Sequence, residues 1–492
     1  MYKITSPHDI LLILPPKRFK EHRYSLGLMY ISGYLRDHGY DNTIIESKIF
    51  GGKDYQYDRE KAREEIIEIV VRLKPKIIGF TSTTIEINEV IWLNREIRSK
   101  IDSHSIIGGS HATAMPEQTL LSGFEAVVLG EGEETTLELV RELEKDKPNL
   151  SSVGGIAWLD RGSNRVVINK SREQIDISQL SLPAYDKINM DYHTRLGDDI
   201  IRGFPIRAAM VMASRGCPYS CTFCGCNRIF GHQIRYRSLD NIKEEIKLLR
   251  DKYGVEGIWF ADDTLTVSYD HVQKVCDIMK ELGMYWGAQS RVDLTNEKMV
   301  KLMSSSGCLQ LDFGVESGNQ RVLDKIINKR IKLAEVEKAF ILCRKYHLRT
   351  QASFMIGFPT ETKEEMEDTF RFAQKIKPDY YSFNILMPLP GTEIYEKYFK
   401  GEITLADYED VNFHKTKDKF NKSQVKDLNR LHAQWRSKLF EGVKIRSLIH
   451  PLKVLVLFLR LGHKRERVKF IGFKIKRATK YFLNKLGFKF VL

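Results

Sequence analysis

The chain has 492 residues, 42% of them hydrophobic and 29% charged, with a formal net charge of +14 and seven cysteines. That length predicts roughly two to four domains with proper apolar cores, and an odd cysteine count with no secretory signal argues against a disulfide framework. The N-terminus, Met1 to Asp9, runs straight into an apolar stretch at 10–14 that is too short for a signal peptide or a membrane span, so a cytoplasmic location is expected. In the first 145 residues, apolar runs at 10–14, 42–46, 77–81, 105–108 and 126–129 read as buried parallel strands. Helical patterns fall between them at 26–38, 59–73, 86–99, 117–122 and 134–145. This alternation predicts a doubly wound, Rossmann-like sheet over 1–145, whose ligands bind at the carboxyl ends of its strands. The loops there are Pro15 and Pro16; Ser82, Thr83 and Thr84; Gly108 to Thr113; and Gly130, Glu131, Gly132 and Glu133. Small residues permit close backbone approach to a large polar cofactor, and hydroxyls can bond to a phosphate or amide rim. Taken bare, such Gly-rich turns read equally well as ordinary strand-to-helix punctuation.

From 153 to 186 the pattern changes to a hairpin turning about 161–164, then Leu180-Ser-Leu-Pro-Ala-Tyr-Asp, which reads as part of a linker over 146–205. A second series of strands follows at 208–214, 257–261, 285–290, 309–314, 349–355 and 380–386, with helical stretches between them. Six βα units predict a partial TIM-type barrel over 206–400, with its chemistry at the C-terminal strand ends. Asp262 and Asp263 follow the second strand, Gln289 and Arg291 end the third, Glu316 ends the fourth, and Gly357 to Pro359 follow the fifth. The first strand leads into a loop where Cys217, Cys221 and Cys224 stand in C-x3-C-x2-C spacing. Three thiolates on one tight loop can hold three irons of a [4Fe-4S] cubane, which normally takes four, and so leave one iron open to another ligand. A structural zinc site would want a fourth Cys or His at a matching distance. Cys226 lies too close to Cys224 for that, and Cys276, Cys308 and Cys343 form no second C-x2-C pair, so zinc or buried free thiols are the other readings.

With Phe223 placed before its last cysteine, the loop resembles that of the radical S-adenosylmethionine (SAM) enzymes. The resemblance implies that Cys217, Cys221 and Cys224 ligate the cluster and that its free iron chelates the amino and carboxylate groups of SAM. One electron, from a donor such as flavodoxin or ferredoxin, then cleaves the sulfonium to a 5′-deoxyadenosyl radical. It also implies a SAM site over Phe223, Asp262, Asp263, Gln289, Arg291 and Glu316. Asp262 and Asp263 stand where many members carry Gly-Gly-Glu and would accept from the methionine amino group. Arg291 would pair with the methionine carboxylate, and Glu316 would accept from the ribose hydroxyls or the amino group. A barrel-rim salt bridge is the alternative for Arg291 and Glu316.

The glycine loops resemble the cobalamin-binding domain ahead of one branch of that family, where Gly-Gly-x-His-x-Thr-x-x-Pro-Glu follows the fourth strand and Gly-Glu-Gly-Glu the fifth. Here these are Gly108, Gly109, His111, Thr113, Pro116 and Glu117, then Gly130, Glu131, Gly132 and Glu133. The implied cobalamin site covers Ser82, Thr83, Gly108, Gly109, His111, Thr113, Gly130, Glu131 and Gly132. Cobalamin domains that ligate cobalt from below carry Asp-x-His-x-x-Gly after the first strand, whereas Leu14 is followed here by Pro15, Pro16, Lys17 and Arg18. The lower face of the cobalt is therefore expected to lack a protein histidine, and His111 reads as a loop or corrin-rim residue.

The last part, 401–492, reads as a helical region whose tail holds most of the basicity. Residues 441–492 hold fourteen Lys or Arg against Glu441 and Glu466, a net of +12 out of the total of +14. The tail is too short and too charged to span a membrane, and reads first as a cationic amphipathic surface for anionic lipid headgroups. A solvated face packed on the barrel and an RNA contact are the other readings, and the sequence contains no nucleic-acid motif. Together these features predict a cobalamin-dependent radical SAM enzyme that methylates carbon in a hydrophobic, lipid-like or tetrapyrrole substrate. Ring formation or oxidation without methyl transfer is the alternative, and a non-enzymatic iron–sulfur or cobalamin carrier is the rival of another class.

Overall fold

A computed structural model describes residues 9–16, 24–47, 50–51, 57–160, 162–196, 200–202 and 204–446, with the side chains of 442–446 excepted. Strands β1 (Ile10–Leu14), β2 (Asn42–Glu46), β3 (Ile77–Thr81), β4 (His104–Gly108) and β5 (Ala126–Val128) lie parallel in the order β2-β1-β3-β4-β5. Both faces of β1 are buried, as a strand covered by helices on two sides requires. The cover comes from α1 (Leu26–Asp37), α2 (Arg59–Leu73), α3 (Ile87–Arg98), α4 (Ser110–Ala114), α5 (Pro116–Leu121) and α6 (Glu133–Leu143). Strand order reverses between β1 and β3, so the ligand crevice of such a sheet falls at the carboxyl ends of β1, β3 and β4.

Two details differ from the sequence reading. The loop after β4 contains the one-turn helix α4, and Pro116, whose fixed φ suits a first helical turn, starts α5. The hairpin expected in the linker, β6 (Ile156–Asp160) and β7 (Arg165–Ile168), instead extends the first sheet, with Val127 opposite Ala157 in antiparallel pairing. It covers the edge of a three-residue strand that would otherwise present unpaired backbone groups.

The backbone then passes through α7 (Met190–His193) to β8 (Ala208–Val211). The strand expected over 208–214 stops at Val211, and β9 (Ser214–Arg215) turns aside to pair with β10 (Arg235–Tyr236). Helix α8 (Cys226–Phe230) lies between β9 and β10, and α9 (Leu239–Tyr253) follows. Strands β11 (Gly257–Phe260), β12 (Tyr285–Ser290), β13 (Cys308–Glu316), β14 (Arg349–Ile356) and β15 (Tyr380–Ile385) continue from β8 in sequential parallel order, and β8 does not pair with β15. The result is an open six-stranded barrel. Helices α10 (Tyr269–Glu281), α11 (Glu297–Ser305), α12 (Leu333–Lys345) and α13 (Lys363–Ile376) alternate with these strands. Along β15, half-buried Tyr380, Ser382 and Asn384 alternate with buried Tyr381, Phe383 and Ile385, the period-two pattern of a strand with one lined and one packed face. Helix α14 (Glu393–Tyr398) follows, and α15 (Leu428–Arg446) packs on β15 through His432, which meets the Phe383 carbonyl at 2.7 Å, and on α13 through Trp435, which stacks on Phe370 at 5.2 Å.

The two sheets meet through buried polar contacts. Arg237 donates to the Tyr30 hydroxyl at 3.0 Å and to the Met212 carbonyl at 2.8 Å, and also pairs with Glu245. Tyr24 accepts from Met210 N–H at 2.6 Å, and His193 Nε2 lies 2.7 Å from Glu46. Buried polar groups that satisfy one another in this way fix one arrangement rather than merely favour contact. Among the described residues, no helix is long and apolar enough to cross a membrane. Residues 447–492, on which most of the membrane-surface expectation falls, lie outside the described residues.

Candidate active site at the facing loops

The cysteine loop begins on a residue that admits no side chain. Gly216 has φ +100°, and a Cβ there would stand 2.2 Å from the Gln233 carbonyl oxygen, so only glycine lets the backbone turn into Cys217. From there the loop is pinned by its own backbone. Cys217 N–H donates to Gly231 O at 3.3 Å, Cys224 N–H to Cys221 O at 3.0 Å, and Thr222 N–H to Ile327 O at 2.9 Å. Asn227 and Asn328 hold the Tyr219 and Ser220 carbonyls at 2.7 and 3.0 Å. Cys217 and Cys221 are half-buried and Cys224 is exposed. Among the described residues, no three His, Cys, Asp or Glu side chains converge on a single ion, so the closed zinc reading gains nothing from the geometry. A cubane takes one thiolate per iron and needs no such convergence.

The two aspartates expected to meet the SAM amino group differ in burial, Asp262 being buried and Asp263 half-buried. Asp262, 1% exposed, accepts from Ala213 N–H at 2.8 Å and from the Ser214 hydroxyl at 2.5 Å. Burial pushes its carboxyl up to about 7. Burial raises the Asp263 carboxyl, while the nearby Cys226 thiol and Gly216 N–H pull it down. Asp262 thus braces the segment that enters the cysteine loop, and Asp263 stays half-buried beside it. A strand-end Asp-Asp pair carries no sign in sequence of which way it faces.

The remaining candidates gather beside the loop. Arg291 bonds Asp293 through two contacts of 3.0 Å, donates to Lys329 O at 3.0 Å, and lies 3.5 Å over the Tyr219 ring. Glu316, at φ +70°, pairs with Lys329 at 3.1 Å. A left-handed non-glycine residue at a strand end is strained, and such strain gathers at functional sites. Burial pushes the Cys221 thiol up, while the Lys329 and Arg291 cations pull it down, which places both cations by the loop. Gln289 is the exposed position of β12. Phe223 packs edge-on against Phe358 at 6.2 Å. Below Phe358, Glu361 accepts from Gly357 N–H at 2.8 Å and Phe358 N–H at 2.9 Å, and burial pushes it up to about 8. Lys329 was missed in sequence because it lies in a turn, between Asn328 and Arg330 at φ +57° and +56°, far in sequence from its partners.

On the first sheet, an apolar slot of about 210 Å³ runs between the strand ends, α1 and α6. Gly108, Gly109, Gly130, Glu131 and Gly132 line it, facing Arg215, Ile229 and Phe230 from the cysteine-loop segment. At Gly109, with φ +98°, a Cβ would stand 2.6 Å from Ser82 O, so the floor is bare backbone. Such a slot admits a flat ring system, one part of a cobalamin, and the residues present fit that group. A cavity of about 540 Å³ with mixed polar and apolar lining adjoins it, sharing Gly130, Glu131, Glu133 and Ile229 and adding Thr113, Arg172 and Arg228. Ser82, Thr83 and His111 line neither cavity. Thr83 turns its hydroxyl to Glu86 at 2.8 Å, and Ser82, though buried, leaves its Oγ without a partner. His111 is 1% exposed, its Nδ1 3.3 Å from Thr84 and its Nε2 buried without a hydrogen-bond partner, and burial holds it down at about 4. Glu131 reaches the slot but is engaged by Arg215 at 2.7 Å.

A cofactor slot on a doubly wound sheet, facing a three-cysteine loop at the mouth of an open barrel, is matched by two family models: the Radical SAM superfamily over residues 211–373 and the B12 binding domain over 19–140. The protein belongs to the cobalamin-binding radical SAM enzymes. It is 32% identical over 489 residues to an uncharacterized methyltransferase of Pyrococcus horikoshii, covering 96% of this sequence and 98% of that one. It is 26% identical to the anaerobic magnesium-protoporphyrin IX monomethyl ester cyclase of Rubrivivax gelatinosus, over 78% of this sequence and 68% of the other. In fold it is similar to the radical SAM methyltransferase TsrM from Kitasatospora setae, with a TM-score of 0.65 at 17% identity, over 78% of this sequence and 75% of that one.

Proposed function

We propose that this enzyme transfers a methyl group to carbon in a small-molecule substrate held at the barrel mouth. The observation that carries this is one segment, 215–230, which supplies both the three cysteines and a wall of the glycine-floored slot. When bound, the cluster supplies the electron that cleaves SAM, and cobalamin carries a methyl group to the substrate carbon. Cys217, Cys221 and Cys224 hold three irons, and the Tyr219 and Thr222 contacts keep the loop closed around them. Lys329 and Arg291 offer cations to the methionine carboxylate, Glu316 accepts from the amino group or ribose, and Gln289 and Phe223 bound the same space. Gly108, Gly109, Gly130 and Gly132 let a planar ring lie on backbone. Asp262 holds the backbone that leads into the loop, and half-buried Asp263 stands beside it at the same strand end.

Electrons come from a low-potential donor such as flavodoxin or ferredoxin. A tetrapyrrole substrate is supported by the cyclase relative. A lipid-like one rests on the basic residues 441–492, which would hold a cytoplasmic enzyme against an anionic membrane surface. The same relative favours ring formation as the second outcome of the same radical. Product analysis separates the two. S-adenosylhomocysteine together with 5′-deoxyadenosine is expected for methylation, whereas 5′-deoxyadenosine alone with turned-over substrate would replace methylation by ring formation or oxidation.

A further inference from the structure

Arg215 stands two residues before Cys217 and is 3% exposed. Its Nη1 donates to Glu131 at 2.7 Å and its Nη2 to Glu133 at 2.6 Å, while Arg235 lies 2.8 Å from the other oxygen of Glu131. The guanidinium sits over the rings of Tyr30 at 5.1 Å and Phe230 at 5.5 Å. Arg215, Glu131, Glu133, Tyr30 and Phe230 all line the apolar slot. An occupant of the slot therefore touches the same charge group that begins the cysteine loop. The joint between them leaves no room for a side chain, because a Cβ on Gly216 would stand 2.2 Å from Gln233 O. The two arginines and two glutamates are neutral together, so their field at the loop depends on local screening. Replacing water in the slot by a cofactor lowers the effective dielectric and strengthens every charge interaction inside.

We propose that Arg215 is a positioning residue that couples the slot to the cysteine loop, so that cobalamin in one and a cluster in the other change each other's affinity. This rests on the functional reading above, and it makes Glu131, in the slot wall, the link between the slot's occupant and Arg215. Coupling of this kind is reciprocal and typically amounts to a factor of about 5 to 150.

The test is titration of the full-length protein with hydroxocobalamin, followed by absorbance, once with iron and sulfide reconstituted and once iron-free. In the wild type the two affinities should differ by about fivefold or more. In Arg215→Met the difference should vanish, and Glu131→Gln, nearly the same shape, should abolish most of it even if the arginine variant fails to fold. Arg215→Lys keeps the charge without the two-pronged geometry and should restore part of the difference. A purely structural arginine would weaken both titrations equally and leave their ratio at the wild-type value, which would overturn the coupling. So would a wild type that takes up both groups with no difference between the two titrations. A wild type that takes up no cobalamin or no iron overturns the functional reading itself.

Discussion

At the scale of single residues, carboxylates separate into those that brace and those that face the mouth. Removing Asp262 leaves the Ala213 N–H and the Ser214 hydroxyl without their partner in a buried place. Asp262→Ala should cost about 1–3 kcal/mol per unsatisfied group, seen as a lower denaturation midpoint, and should reduce iron uptake with it. Lys329→Ala leaves Glu316 unpaired and removes a cation from the Cys221 side of the loop. SAM affinity should fall at least about tenfold, since breaking a buried charge pair costs about 2–5 kcal/mol at a binding site; unchanged affinity would remove Lys329 from the SAM site. Glu361 gives a pH signature. Burial raises its carboxyl from 4.5 to about 8, so its stabilising protonated form is fully present below 4.5 and its contribution is lost as pH rises through about 8. In iron-free protein, Glu361→Gln should flatten the stability slope over that window by up to about 1.4 kcal/mol per pH unit, one proton's worth.

At the scale of elements, the strands and their order were legible because apolar runs of five or so residues separated by helical periods leave few alternatives. All five parallel strands of the first sheet and all six of the barrel lie at or near their expected positions. The directions of side chains were not legible. His111 belongs to a glycine-rich motif, yet α4 turns it inward against Thr84. Asp262 follows a strand, yet its partners Ala213 and Ser214 lie some fifty residues earlier in sequence, and no local pattern encodes such a contact. Glycines tell more, since a positive φ with no room for Cβ is a local demand. Gly216→Ala should therefore abolish iron uptake while leaving hydroxocobalamin binding to the first sheet measurable. Gly109→Ala should do the opposite, losing cobalamin binding first. If either variant lost the other group instead, the assignment of the two loops would be reversed.

At the scale of the molecule, a doubly wound sheet and an open barrel present one loop segment to both cofactor spaces, and buried contacts such as Arg237 with Tyr30 hold them together. The basic tail adds a question of location. Deleting 447–492 should lower flotation with anionic vesicles, and equal flotation of both forms would remove the membrane surface from the account. The central claim is cobalamin-dependent radical chemistry at the three-cysteine loop. Its most direct test is the nucleoside products of the reduced, cluster- and cobalamin-loaded full-length protein given SAM. The expected result is 5′-deoxyadenosine together with S-adenosylhomocysteine, both lost when Cys217, Cys221 and Cys224 are replaced by Ala; a fully loaded, reduced protein that forms neither, with every candidate substrate supplied, would contradict it.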